Sequence, residues 1–280
     1  MKLPESAMQP TASADTRADG VAVAVAALVR KTLVITELEV RKLRHDVTEL
    51  LTRAVQPALW LLVFGEVFTR TRAIPTGDLP YRDFMAPGIL AQSVLFISIF
   101  YGIAVIWERD LGLVHKLIVS PTPRAALVLG KGLSAGIRAL SQAVVVYVLA
   151  VLLGVHVNLG PLNLLGVLTA VLLGGACFST LSLIIACLVK TRERFMGIGQ
   201  LLTMPLFFAS NAIYPTEMMP SWLKVLAHSN PLTYQVDALR TLMLAQGSSS
   251  FHVGTDFAVL GVTTALLVTV AAWLYPTIVR

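Results

Sequence analysis

The sequence predicts an all-α polytopic membrane protein: six transmembrane helices, preceded by an amphipathic helix on the inner surface, with a short helix in an inner loop and two helical stubs in an outer loop. Composition is the first ground for this. Of 280 residues 56% are hydrophobic and only 14% charged, against about 25% charged in a soluble domain. Charge distribution is the second. The 22 basic and 16 acidic residues are clumped, and residues 84–107, 139–189, 195–216 and 257–279 hold no Asp, Glu, Lys or Arg. A span needs about 20 apolar residues, so each run holds at least one.

Residues 1–30 read as a disordered cytoplasmic tail, rich in Ala, Asp, Thr, Ser and Pro over its first twenty positions. It lacks a basic-then-apolar secretory pattern. From Lys31 to Thr52 the apolar residues Leu33, Val40, Leu43, Val47, Leu50 and Leu51 recur at three- and four-residue steps, with Arg41, Lys42, Arg44, Asp46 and Glu49 between them. Such a helix lies flat on the inner surface, apolar face down and basic residues toward lipid phosphates. It either anchors the chain or meets a partner.

The spans fall near 54–69, 84–107, 132–153, 164–189, 195–214 and 257–278. The first is broken only by Glu66, whose position four residues before Arg70 fits an interfacial pair; a role in translocation is the other reading. The 51-residue run 139–189 divides at Gly154 to Pro161 into two spans joined by a turn. Pro57 and Pro205 are expected kinks. Gly132, Gly136, Gly174 and Gly175 would let helices pack closely. Cys177 and Cys187 share the fourth span at about 15 Å separation and cannot pair. The five histidines are scattered, so no metal is implied.

With both termini inside, the inner segments carry sixteen Lys and Arg and the outer loops five: Arg70, Arg72, Arg82, Lys224 and Arg240. That asymmetry places the termini in the cytoplasm. Arg138 lies within the third span. The net charge of +6 is explained by anionic lipid and needs no nucleic acid.

Two loops carry more than connection. Glu108 to Ser120 can form a helix with acids in its first turn and Pro121 as its stop, a docking element for a soluble partner in preference to a solvated loop. The outer segment 211–240 is divided by Pro215, Pro220 and Pro231 into stubs at 221–228 and 233–245 that dip into the outer leaflet. Trp222 and Tyr234 suit the headgroup level.

The inner Glu108-Arg109-Asp110-Leu111-Gly112, Ser120-Pro121-Thr122-Pro123-Arg124 and Leu129-Gly130-Lys131, with the outer Asn211-Ala212-Ile213-Tyr214-Pro215, Met219-Pro220-Ser221-Trp222-Leu223 and Asn230-Pro231-Leu232-Thr233-Tyr234, closely resemble the ABC type 2 exporter permeases. The similarity covers residues 31–280 and is strongest to the daunorubicin-resistance and nodulation-factor branch. It implies that two permease copies, or a copy and a close paralogue, pair in the cell membrane above two separate ATPase subunits. Lys31–Thr52 would be the connecting helix, with Arg41, Lys42 and Arg44 on it. Glu108–Ser120 would be the coupling helix, presenting Glu108, Arg109, Asp110, Gly112, His115 and Lys116 to the ATPase. The stubs would be the re-entrant helices.

The residues agree with that division of labour. Gly130-Lys131-Gly132 lacks the glycine five positions earlier, where Ala125 stands, and the following hydroxyl, so no phosphate loop occurs. No cofactor is expected on this chain, since ATP and magnesium would bind the partner. Gln56, Gln92, Ser93, Ser98, Gln200, Thr203, Ser210 and Asn211 are the polar residues placed near a pathway. Being few and neutral, they suit an amphipathic drug, lipid or lipid-linked cargo. A permease for a lipid-linked polysaccharide is the alternative reading. A secondary carrier or channel lacks its buried ionisable residues and inverted repeat, and a membrane enzyme lacks a convergent acid–base set.

The topology is testable with single cysteines in a background lacking Cys177 and Cys187. An impermeant thiol reagent added to intact cells should label cysteines at Thr76, Asn158 and Ser249 and spare those at Ser120 and Thr191. The reverse pattern overturns the orientation.

Overall fold

The computed structural model describes residues 29–34, 37, 55–71, 74–77, 79–114 and 124–279. The tail before residue 29, Arg41, Lys42 and Arg44 with most of the expected surface helix, and His115, Lys116 and Ser120 lie outside these residues. Among the described residues the chain is helical, with one isolated antiparallel bridge, Val157 to Leu244. The helices are α1 (residues 55–71), α2 (Tyr81–Phe100), α3 (Gly102–Asp110), α4 (Arg124–Leu152), α5 (Pro161–Leu188), α6 (Arg192–Phe208), α7 (Ser221–Ser229), α8 (Pro231–Met243) and α9 (Val253–Leu274).

Among the described residues four segments are long and apolar enough to cross a membrane: Tyr81–Asp110, Arg124–Leu152, Pro161–Leu188 and Val253–Thr277. The chain is therefore an all-α membrane protein. The segments expected as the first and fifth spans are α1, which contains a π-helical stretch at Trp60–Gly65, and the 17-residue α6. Boundaries shift because a helix continues past its apolar stretch. α4 begins at Arg124, not 132, which sets Arg138 about 21 Å along its axis. α6 stops at Phe208 instead of 214, where Ser210 turns the chain by donating to the Phe207 carbonyl (2.7 Å).

α5 is the hub, in contact with α2, α3, α4, α8 and α9. Lipid chains are as apolar as leucine, so helices in a bilayer adhere where small residues let backbones meet. A Cβ built on Gly175 would lie 2.7 Å from the Cα of Gly136 in α4, and one on Gly174 would lie 2.2 Å from Nε2 of Gln235 in α8. Gly132 has ordinary spacing, its nearest neighbour atom 3.5 Å away. Only the second half of the Gly132/Gly136 pair is therefore a tight contact. Cys177 and Cys187 are buried free thiols on α5.

At one end of the bundle, here the cap, α7 and α8 take nearly the bounds expected for the stubs. Pro220 precedes α7 and Pro231 starts α8, where a missing N–H costs nothing. Asn230 joins three elements: its Oδ1 accepts from Leu232 N (3.0 Å), and its Nδ2 donates to the Leu206 (2.6 Å) and Ala209 (2.9 Å) carbonyls at the end of α6. The turn after α4 pairs with the end of α8 through Asn158 N to Met243 O (2.7 Å) and Ala245 N to His156 O (2.9 Å). Asp237 accepts from Ser249 Oγ (2.9 Å), Ser250 N (2.8 Å) and Phe251 N (3.0 Å), holding the approach to α9. The Glu66–Arg70 pair is present at 2.9 Å.

The glycine contact predicts a sharp contrast. Gly175→Ala should destabilise the protein by roughly 1–3 kcal/mol, the usual penalty of overpacking, seen as a lower unfolding midpoint in detergent. Gly261→Ala on α9, where nothing lies within 4 Å, should leave the midpoint unchanged or slightly raised.

Candidate functional site

Three of the polar residues nominated from the sequence converge. Gln56, Gln92 and Ser93, with Pro57, Phe96, Ile97, Phe100 and Gln142, line a cavity of about 90 Å³ between α1, α2 and α4. Helical spacing explains the grouping: Gln92, Phe96 and Phe100 are four apart on α2, and one face of a helix repeats at that step. Gln92 and Gln142 are buried, Gln56 is exposed at the mouth, and Ser93 Oγ donates to the Ile89 carbonyl at 2.8 Å.

A second cavity of about 470 Å³ shares Ile97 and Phe100 with the first and continues along Tyr101, Ile103, Ala104, Trp107 and Arg138. Arg138 sits 5.6 Å from the centre of the Tyr101 ring, and Tyr101 is fixed by its hydroxyl contact with Ser134 Oγ (3.0 Å). The two cavities share a wall at Ile97 and Phe100, with amides lining the first and aromatic rings and a cation the second. Gln142 and Arg138 were not among the pathway residues nominated. Their signal was available, since they stand four apart on one face of α4.

The other nominated residues lie elsewhere. Thr203 is buried and gives its hydroxyl to the Gly199 carbonyl (2.8 Å). Ser210 is a turn residue, as described. Ser98 is buried with its hydroxyl unpartnered, and Gln200 is exposed. Asn211 is 1% exposed and lines a different cavity, at the cap.

At the opposite end, the base, the expected helix Glu108–Ser120 is corrected. Glu108, Arg109 and Asp110 belong to the last turn of α3, which ends where Leu111 N and Gly112 N bond the Trp107 (3.0 Å) and Arg109 (2.9 Å) carbonyls. Gly112 has φ +71°, the left-handed turn that favours glycine, and residues 113–114 are helical again. Acids at a helix C-terminus oppose its dipole, and each finds a cation. Glu108 is buried and bound by Lys131 Nζ of α4 at 2.5 Å, not on the aqueous surface where the sequence reading put it. Asp110 is held by Arg109 (3.1 Å) and Arg192 (2.8 Å). Arg109 also bonds the Val189 (3.2 Å) and Lys190 (2.7 Å) carbonyls, and Arg192 stacks 3.5 Å over the Trp107 ring. The segment 108–112 is thereby fastened to α4 and to the α5–α6 turn together.

A sequence model of the ABC-2 type transporter family matches residues 30–244. The ycf38 protein of Cyanophora paradoxa is 28% identical over 216 residues, 75% of this chain and 72% of its own length. The daunorubicin resistance ABC transporter permease protein DrrB1 of Streptomyces coeruleorubidus is 24% identical over 208 residues, 74% of this chain and 72% of its own. Nodulation protein J of Rhizobium leguminosarum bv. trifolii is 26% identical over 170 residues, 60% of this chain and 64% of its own. With a helical bundle whose polar side chains meet inside it and a family match over most of its length, the chain belongs to the ABC-2 type transporter family, as a membrane permease.

Proposed function

We propose that the chain is the transmembrane subunit of an ATP-driven exporter that moves an amphipathic drug, lipid or lipid-linked molecule out of the cytoplasm or the inner leaflet. It spans the cell membrane six times with both termini inside, α1 and α6 completing the set, and α7 and α8 dip into the outer leaflet. Two copies, or a copy and a paralogue, work with two ATPase chains that bind ATP and magnesium. The observation that carries this reading is the convergence of Gln56, Gln92, Ser93 and Gln142 on one cavity, with the aromatic-lined cavity of Arg138 beside it. Neutral amides bind polar groups without demanding a charge, and Phe96, Phe100, Tyr101 and Trp107 accept an apolar body. A relative named as a daunorubicin resistance ABC transporter permease supports the export class.

In this reading Arg109, Asp110 and Gly112, with His115 and Lys116, meet the ATPase, and Arg41, Lys42 and Arg44 lie on the connecting helix. The base supplies the transmission. Movement of residues 108–112 is passed to α4 by the Glu108–Lys131 pair and to α5 and α6 by Arg109 and Arg192. Glu108 acts inside the permease, so its role differs from that of its neighbours.

Reconstitution with the cognate ATPase in proteoliposomes tests the proposal. Cargo should stimulate ATP hydrolysis, and Gln92→Leu should raise the cargo concentration needed for half-stimulation while leaving basal hydrolysis unchanged. No stimulation by any amphipathic cargo, with export absent, refutes the exporter reading.

The base gives a second contrast. Glu108→Ala leaves Lys131 charged and buried, a loss of about 3–5 kcal/mol, and should reduce the amount of folded protein. Asp110→Ala, at an exposed position, should reach the membrane in normal amounts with reduced stimulation of ATP hydrolysis. Equal losses of folded protein in both make the whole segment structural.

A further inference from the structure

A cavity of about 260 Å³ at the cap, separate from the two cavities described above, is lined by Asn211, Thr216, Glu217, Arg240 and Ser248, with Gly77 and Phe84 among its walls. Arg240 is 5% exposed, and its guanidinium carbon sits over the Phe84 ring, 3.9 Å from the ring centre. Nη2 donates to the Asn211 carbonyl at 2.7 Å and lies 3.5 Å from that of Phe84, while Nε has no partner. Among the described residues no carboxylate stands within 4.0 Å of it. Asp237, one helical turn away, spends its carboxylate on Ser249, Ser250 and Phe251. The Asn211 side chain, 1% exposed, has neither Nδ2 nor Oδ1 bonded.

Burying a guanidinium without an anion is expensive, and a planar fork of N–H donors matches the oxygens of a phosphate or carboxylate. Burial pulls the Arg240 guanidinium down to about 10, against Asp237 and Glu217, so it remains charged at neutral pH. Among the lining residues the donors left unspent are Arg240 Nε and the Asn211 amide, with Ser248 beside them, while the Thr216 hydroxyl donates to Glu217 (3.2 Å). Glu217, exposed at the rim, opposes a second negative charge on the occupant. The volume falls below the roughly 300 Å³ at which drug-sized pockets begin and fits a headgroup rather than a whole amphipath. Beside the cavity, α7 turns Trp222, Val225 and Leu226 outward, as a helix at a lipid interface does.

We propose that this cavity is a binding site for a singly charged phosphodiester, held by Arg240 and Asn211 and supplied by the headgroup of a phospholipid in the leaflet at the cap. Glu217 selects against the dianion of free phosphate and tolerates an ammonium group on the same headgroup. The site stands whatever the exported cargo is.

The test uses the purified, delipidated full chain in detergent, titrated with dihexanoyl-phosphatidylglycerol or with inorganic phosphate, and follows the unfolding midpoint. The short-chain lipid should raise the midpoint saturably and inorganic phosphate should not. Arg240→Lys keeps the charge but loses the fork, and should weaken the lipid effect about tenfold. Asn211→Ala should weaken it less. Glu217→Gln, at an exposed position, should tighten lipid binding and admit inorganic phosphate, a change that a purely structural Arg240 would not produce. Should Arg240→Lys fail to fold, the Glu217 and Asn211 variants carry the test alone. Absence of a lipid-induced shift in the parent, or the same shift in every variant, overturns the site. An equal effect of inorganic phosphate on the parent overturns the phosphodiester assignment.

Discussion

Contact between α4 and α5 at Gly136 and Gly175 is the constraint on which the other packing depends. Inside a bilayer an apolar side chain gains little by leaving lipid for protein, so helix association rests on the closeness of backbones. α5 meets that demand twice on adjacent residues: Gly175 faces α4 and Gly174 faces Gln235 of α8. The hub can therefore hold a long neighbour and the short α8 at once. Gly88 of α2 obeys the same logic, since a Cβ there would fall 2.3 Å from the Ala212 carbonyl oxygen. The cap chain is thus seated directly on the α2 backbone.

Irregular backbone at the cap brings a second demand, because carbonyls and N–H groups away from water need partners. A few side chains satisfy most of them. Asn230 takes the last carbonyls of α6 and the first N–H of α8, and Asp237 takes the N–H groups that lead into α9. The second device tolerates strain: His252 adopts φ 77°, unfavourable for a residue with a Cβ, two positions after an N–H that Asp237 holds. Arg240 and Asn211 stand apart from this economy, with buried polar atoms left unspent.

Much of the architecture was legible in the sequence because charge-free runs and prolines act over short distances. The stubs were bounded by Pro220 and Pro231, and the Glu66–Arg70 pair followed from helical spacing. What could not be read depends on contacts between distant segments. Glu108 looks like a surface acid until Lys131, 23 residues later, is brought against it. Gly112 looks like part of a helix until its positive φ shows it ending one. The grouping of the nominated polar residues was only partly legible. Gln56, Gln92 and Ser93 meet, whereas Thr203 and Ser210 serve their own backbone, and a one-dimensional string does not reveal which side of a helix is turned inward.

The antiparallel bridge between Val157 and Leu244 makes the cap a strut. The turn joining α4 to α5 is bonded on both flanks to the end of α8, and the start of α8 is bonded to the end of α6 through Asn230. At the base, the same α4, α5 and α6 are tied to the segment 108–112 by Lys131, Val189, Lys190 and Arg192. The bundle is therefore a closed frame, braced at both ends. Neither end of α4 or α5, nor of α6, hangs on a free loop: each is bonded to a neighbouring element at the base and at the cap.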